Sequence, residues 1–267
     1  MKKKKVGLAL SGGIARGLAH IGVLEILEKE RIPIDMIAGT SAGAVIGASY
    51  AQKKDLSVIR KFALDLTQKR FVSLVDIALF KNGLIQGEKI NRLLEIIIGR
   101  QVRFSDLKIP FACTTTDIMT GEEVVLNQGL LLKSVRASIS IPVIFAIAKL
   151  HGRYLIDGQL VNPVPVDTIK EMGATFIIAV NVIPRFKVPT RQKEKLKEPN
   201  ILDVIMNSLY ITNTLLVEHS LEGADIIIEP DVIHIGQSDI HQAEECISLG
   251  KKAAEESISK IRKQLEA

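Results

Sequence analysis

Asp35-Met36-Ile37-Ala38-Gly39-Thr40-Ser41-Ala42-Gly43-Ala44-Val45-Ile46 is the stretch whose reading decides the fold. Asp35–Ala38 reads as a short buried strand, and the residues after Gly43 read as a small-residue helix to about Lys53. The pattern G-x-S-x-G therefore falls where a strand turns into a helix. At such a junction the serine sits on a sharp, strained turn that pushes its Oγ out at the end of a sheet. Residues two before and two after it must be small so that strand and helix can pass closely. Gly39, Thr40, Ala42 and Gly43 thus form a candidate nucleophile elbow around Ser41. The rival reading of the same residues is an ordinary tight turn followed by a small-residue helix start.

Upstream, Val6–Leu10 reads as a buried strand, followed by Ser11-Gly12-Gly13-Ile14-Ala15-Arg16-Gly17 and a helix from about Gly17 to Arg31. Ala19, Val23, Ile26 and Leu27 recur on one helical face, with Glu25, Glu28 and Lys29 opposite, and Pro33 ends the element. Glycines let backbone N–H groups converge on one spot, and a helix N-terminus adds positive potential there. A phosphate or the oxyanion of a tetrahedral intermediate would suit that spot. The phosphate patterns fail in this chain, because no lysine follows Gly17 and Ile14 stands where G-x-G-x-x-G needs its middle glycine. An oxyanion hole needs only one or two N–H groups and tolerates the change better.

Downstream, Asp55 caps a helix expected to reach about Arg70, and Phe71–Gly99 is apolar and helical in pieces. Phe111–Asp117 and Glu123–Leu126 flank Met119-Thr120-Gly121 as a hairpin, and a helix follows near Leu130–Ala137. Arg153–Ile156 delivers Asp157-Gly158 at a turn, and Pro163–Pro165 opens a helix. Phe176–Val182 and Ile226–Ile228 read as further buried strands, with helices at about Ile201–Leu221 and Ala243–Leu265. Strands alternating with helices predict an α/β fold with a mainly parallel sheet covered on both faces.

Composition narrows the function classes. Of 267 residues, 47% are hydrophobic and 24% charged, enough for a large core and too apolar for disorder. The net charge of +5 is largely Lys2, Lys3, Lys4 and Lys5; the remainder is nearly balanced. Only 4% of residues are aromatic and Trp is absent, which argues against a nucleic-acid partner. Cys113 and Cys246 are too few for a disulfide framework and fit a reducing, cytoplasmic setting. The apolar run after Lys5 breaks at Ser11, so no signal peptide is expected, and no run reaches the ~20 apolar residues of a membrane span. Arg185–Asn200 carries a surplus of four positive charges. It reads either as a solvated surface loop or as a patch resting on anionic lipid, giving peripheral membrane contact.

The histidines offer little to Ser41. In the order Ser, acid, His, only His219, His234 and His241 follow Asp157; His219 falls on an apolar-periodic helix, where a packed or surface histidine is the commoner role, and His234, close to Gly236, is the best of the three for a triad. No histidine and cysteine spacing suggests a metal.

Leu10–Gly17, Gly39–Gly43 and Asp157-Gly158, in this order and spacing, resemble the patatin-like phospholipase family. Thr116-Asp117 with Thr120-Gly121, Ala137-Ser138 with Ile141-Pro142 and Phe145, and Asn162-Pro163-Val164-Pro165 look like the same family. The similarity runs from about Val6 to Val182. It implies one patatin-like domain over residues 1–267, a three-layer α/β/α architecture and hydrolysis of lipid carboxylic esters of the phospholipase A or lysophospholipase type, without cofactor. By resemblance Ser41 is the nucleophile and Asp157 its base. Gly12, Gly13 and Ile14 supply oxyanion donors, and Arg16 supports their loop. The chain departs from the family at Ile14, where a third glycine is usual, and at Gln159, where Gly or Ala follows Asp-Gly. A β-branched residue is disfavoured at positive φ. Loss of one oxyanion donor costs about 10²–10³ in kcat. A weak or silent lipid-binding or regulatory protein is the alternative. The apolar stretch Phe71–Ile98 reads as core or as the wall of an acyl channel.

Overall fold

A computed structural model describes residues 4–65, 88–184, 198, 201–236 and 239–267. Eight strands form one sheet: Val6–Leu10 (β1), Met36–Thr40 (β2), Phe111–Asp117 (β3), Glu123–Leu126 (β4), Ala148–Leu150 (β5), Arg153–Asp157 (β6), Phe176–Val180 (β7) and Ile226–Ile228 (β8). The described helices are Ala19–Lys29 (α1), Ala42–Lys53 (α2), Ser57–Asp65 (α3), Glu88–Ile98 (α4), Leu131–Ser138 (α5), Val166–Glu171 (α6), Ile201–Ser220 (α7) and Ala243–Glu266 (α8). The strand order is β5-β6-β3-β2-β1-β7-β8, and β4 pairs with β3. The run from β3 to β8 is parallel throughout, whereas β4, β5 and β6 pair antiparallel.

Strands buried on both faces sort their side chains with period two. Leu8, Leu10, Ile37, Ile178 and Val180 join one core with Leu24 and Leu27 of α1, Ile46 of α2 and Ile258 of α8. Ala9, Met36, Ala38, Ile177 and Ala179 face the other way, against Val166 and Ile169 of α6 and Val217 of α7. Three layers follow, α/β/α, as the alternation predicts. Each fully buried aliphatic side chain in these layers contributes about 1.5–3 kcal/mol.

The registers of β3 position the site. Its residues 113–116 pair with β4, so that edge is occupied. On the other edge Phe111–Thr114 pairs with β2, and Thr115–Asp117 pairs with β6. Strand β2 runs parallel to β3 and β6 runs antiparallel, so their C-terminal ends meet head to head on one edge. Thr40 lies opposite Thr114, and Asp157 lies opposite the next residue, Thr115.

Several boundaries differ from the sequence expectation for physical reasons. The second strand extends to Thr40 because its ladder with β3 continues through the first half of the glycine motif. The first helix is entered through a 3₁₀ turn, Ile14–Leu18, and becomes α-helical at Ala19. Strand β7 stops at Val180, since the Val182 N–H donates to Ser11 Oγ (3.0 Å) instead of to a strand. Asp55 does receive the Ser57 N–H, at 2.8 Å. The expected end of that helix near Arg70 and most of Phe71–Gly99 lie outside the described residues, as does the basic stretch 185–200 except Glu198. Cys113 and Cys246 are free and buried. Among the described residues no helix is long and apolar enough to cross a membrane.

Candidate active site

Ser41 sits between the last residue of β2 and the first of α2, with φ 52° and ψ −116°. A non-glycine residue held there stores about 1–3 kcal/mol of strain. The surroundings enforce it. A Cβ on Gly39 would lie 2.5 Å from the Gly43 carbonyl oxygen, and one on Gly43 would lie 2.3 Å from that of Leu10. Only glycine lets strand and helix approach so closely. The Ser41 carbonyl accepts the N–H groups of Ala44 (2.9 Å) and Val45 (3.2 Å), and its own N–H donates to Ser138 Oγ (3.0 Å).

Head-to-head meeting of β2 and β6 brings the acid to the serine. Ser41 Oγ donates to Asp157 Oδ2 at 2.6 Å, and both residues are buried. Asp157 is held by its backbone as well: its N–H donates to the Ser140 carbonyl (3.0 Å), and its carbonyl accepts from Thr116 Oγ1 (2.9 Å). Its Oδ1 accepts the Gln159 N–H at 2.9 Å. Burial pushes the carboxyl up to about 7, against the downward pull of the hydrogen bonds from Ser41 and Gln159. A carboxylate near neutrality is far better matched to proton transfer at physiological pH than one near 4. Beneath the pair, Thr40 Oγ1 lies 2.7 Å from Thr114 Oγ1 and donates to the Asn162 carbonyl at 3.0 Å.

The glycine loop after β1 lies beside this pair. The Gly12 N–H donates to the Pro163 carbonyl at 3.1 Å, so it is already committed. Among the described residues the amides of Gly13 and Ile14 have no acceptor. Both residues lie at positive φ, 154° and 49°. Isoleucine therefore does occupy a left-handed position here, the conformation that disfavours it. The loop is tied down by Ser11, whose Oγ donates to the Gly12 carbonyl (2.9 Å), and by buried His20, whose Nε2–H donates to the Ser11 carbonyl (2.8 Å). Burial holds that imidazole down to about 4, hence neutral.

Arg16 spends its hydrogen bonds on other groups than the serine. Its Nε donates to the Ile235 carbonyl (2.7 Å) and its Nη1 to Tyr210 Oη (3.1 Å), with the guanidinium stacked 5.4 Å from the Tyr210 ring centroid. Arg16 thus braces the loop from behind. Gln159 lies over the loop: a Cβ on Gly12 would meet Gln159 Oε1 at 1.6 Å, and that oxygen is buried without a hydrogen-bond partner. A cavity of about 40 Å³ opens against Asp157, bounded by Gly13, Ile14, Gln159 and residues of α7 including Tyr210 and Asn213.

No described histidine hydrogen-bonds to Ser41 or Asp157. His219 pairs with Glu222 and His234 with Glu245, both at the surface. Sequence reading assigned no task to Ser138, Ser140, Thr114 or Asn162. Their signal was polar residues set in apolar text, such as Ala137-Ser138 before Ile141-Pro142, but the partners of such residues are fixed by long-range pairing. Among the described residues no group of three or more His, Cys, Asp or Glu is placed to hold a metal ion.

Comparison with known proteins bears on the family and the fold. The sequence model of the patatin-like phospholipase family matches residues 8–169. An uncharacterised NTE family protein of Mycobacterium tuberculosis is 34% identical over 81% of this chain, which spans 58% of that relative. The neuropathy target esterase of Drosophila melanogaster is 33% identical over 66% of this chain, which spans only 13% of the fly protein. The crystal structure of VipD from Legionella pneumophila shares the fold at a TM-score of 0.55 and 14% identity, covering 97% of this chain and 67% of that one. The chain belongs to the patatin-like phospholipase family.

Proposed function

We propose that this chain is a serine acyl hydrolase that cleaves carboxylic esters of lipids through a Ser41–Asp157 dyad. The observation that carries the reading is the 2.6 Å hydrogen bond from Ser41 Oγ to the buried Asp157 carboxylate. Family membership and a relative named as an esterase support the choice of ester substrates.

In this cycle Ser41 Oγ attacks the ester carbonyl carbon as its proton passes to Asp157. Negative charge develops on the carbonyl oxygen, and the Gly13 and Ile14 amides are the donors available to receive it. Collapse of the tetrahedral intermediate breaks the bond to the alcohol, which leaves with the proton from Asp157. Asp157 then takes a proton from water, whose oxygen attacks the acyl-Ser41 carbonyl. The second tetrahedral intermediate releases the carboxylic acid and returns the proton to Ser41 Oγ. The Asp157 carboxyl is suited to both halves because its affinity for a proton is close to neutral.

Hydrolysis of p-nitrophenyl esters by wild type, Ser41→Ala and Asp157→Asn tests the reading. We expect both variants to fall to the uncatalysed background and a fluorophosphonate probe to label wild type only at Ser41. Equal rates in all three proteins would remove it. A second reading, lipid binding without turnover, draws on the commitment of the Gly12 amide to Pro163 and the small cavity at Asp157. It requires that the probe leave Ser41 unlabelled while lipid still binds.

A further inference from the structure

Ile14 is retained in a conformation that costs an L side chain about 1–2 kcal/mol. Glycine at this position would present the same backbone amide without that penalty. The side chain, then, is where a role should be sought, and the space around it supplies one.

Ile14 lines two cavities. One is the 40 Å³ space against Asp157, whose walls join the polar side chains of Arg16, Gln159, Tyr210 and Asn213 to apolar ones such as Ile141 and Leu160. The other, about 130 Å³, lies on the side of α2 and α3. Its walls include Ala42, Val45, Ile59, Phe62 and Ala63, and among the described residues every one lining it is apolar. Ala42 directly follows Ser41, so this second cavity begins one residue from the nucleophile. For scale, an enclosed apolar cavity of ~150 Å³ accepts benzene, about six carbons.

We propose that this apolar cavity receives the carbonyl-proximal carbons of the acyl chain, and that Ile14 is the specificity-determining residue that partitions it from the space at Asp157. The proposal deepens the acyl hydrolase reading and rests on it. A substrate ester bound at Ser41 is divided by Ile14: its hydrocarbon enters between α2 and α3, and its alcohol lies in the mixed polar and apolar space beside Asp157. The left-handed strain is then the condition for placing a branched aliphatic wall where the loop must also offer an N–H.

The test is the chain-length profile of kcat/KM for p-nitrophenyl esters from acetate to dodecanoate, in wild type, Ala63→Phe and Phe62→Ala. Ala63 and Phe62 line the cavity and touch neither the serine nor the acid in the hydrogen-bond network. Wild type should gain about fourfold per added methylene until about six carbons are buried, then level off. Filling the cavity with Ala63→Phe should leave the acetate ester within twofold and lower the hexanoate ester about 10²-fold, from four lost methylenes. Enlarging it with Phe62→Ala should move the plateau to longer chains, which keeps the test decisive if Ala63→Phe does not fold. Equal scaling of all chain lengths in the variants, or an unchanged profile, overturns the proposal. If wild type hydrolyses no ester, the hydrolase reading fails by itself, and calorimetric titration with octanoate reads the cavity alone. Octanoate bound by wild type and lost in Ala63→Phe sustains the cavity's role; absent or unaltered binding overturns it.

Discussion

The turns that follow β1 and β2 stand side by side, and each holds a non-glycine residue in the left-handed region, Ile14 at φ 49° and Ser41 at φ 52°. At Ser41 the strain is forced from every side: Gly39 and Gly43 admit no side chain, and the hydroxyl must project to Asp157. At Ile14 nothing in the backbone demands isoleucine. The turn at Ser41 is determined by chemistry and close approach together, whereas the turn at Ile14 is determined by its amides and leaves the side chain free to serve selectivity.

Four substitutions or conditions sharpen that contrast. Ser41→Gly removes hydroxyl and strain at once; esterase assays should show a loss of 10⁴-fold or more. Relief of strain should keep the denaturation midpoint close to that of wild type. Gly43→Ala drives a Cβ onto the Leu10 carbonyl, and chemical denaturation should register a loss of about 1–3 kcal/mol or more.

The carboxyl of Asp157 sits near 7 when folded and near 3.8 otherwise, so between those values the folded protein holds a proton that the unfolded chain has released. Stability measured against pH should fall as pH rises through that window, by at most about 1.4 kcal/mol per unit, and be flat above it. Asp157→Asn should abolish this slope. With the ionised form as the proposed base, kcat/KM should instead climb towards pH 7 and then level.

Smallest in effect, Ile14→Gly should leave stability within about 1 kcal/mol, since relief of left-handed strain offsets the extra freedom of glycine in the unfolded chain. Its acetate-ester turnover should stay near that of wild type while chain-length selectivity flattens. An activity loss as deep as that of Ser41→Gly would erase the distinction between the two turns.

Much of the fold was legible because buried strands and punctuated helices leave local signals. Val6–Leu10, Phe111–Asp117, Glu123–Leu126 and Ile226–Ile228 match the sequence reading residue for residue. Ala148–Leu150 was not, because three residues carry no period and its only partner among the described residues is the strand Arg153–Asp157. Ser41 announced itself through the glycines that its turn requires. Asp157 did so only in company, since Asp-Gly alone is a turn. What local text did not contain was register. The meeting of Thr40 and Asp157 on consecutive residues of β3, the Ser138 hydroxyl under the Ser41 amide and the loss of the Gly12 N–H to Pro163 all depend on segments far apart in the chain.

The shared edge of Phe111–Asp117 turns that strand into a ruler. The reach between positions 41 and 157 is counted off in its residues, so one residue inserted between Thr114 and Thr115 would open the gap by about 3.3 Å and flip one neighbour to the opposite face. The hairpin turn at Met119-Thr120-Gly121 lies beyond the graduated part and can lengthen without changing the measurement. In descendants of this chain, insertions should accumulate at that turn and be absent from the middle of the strand.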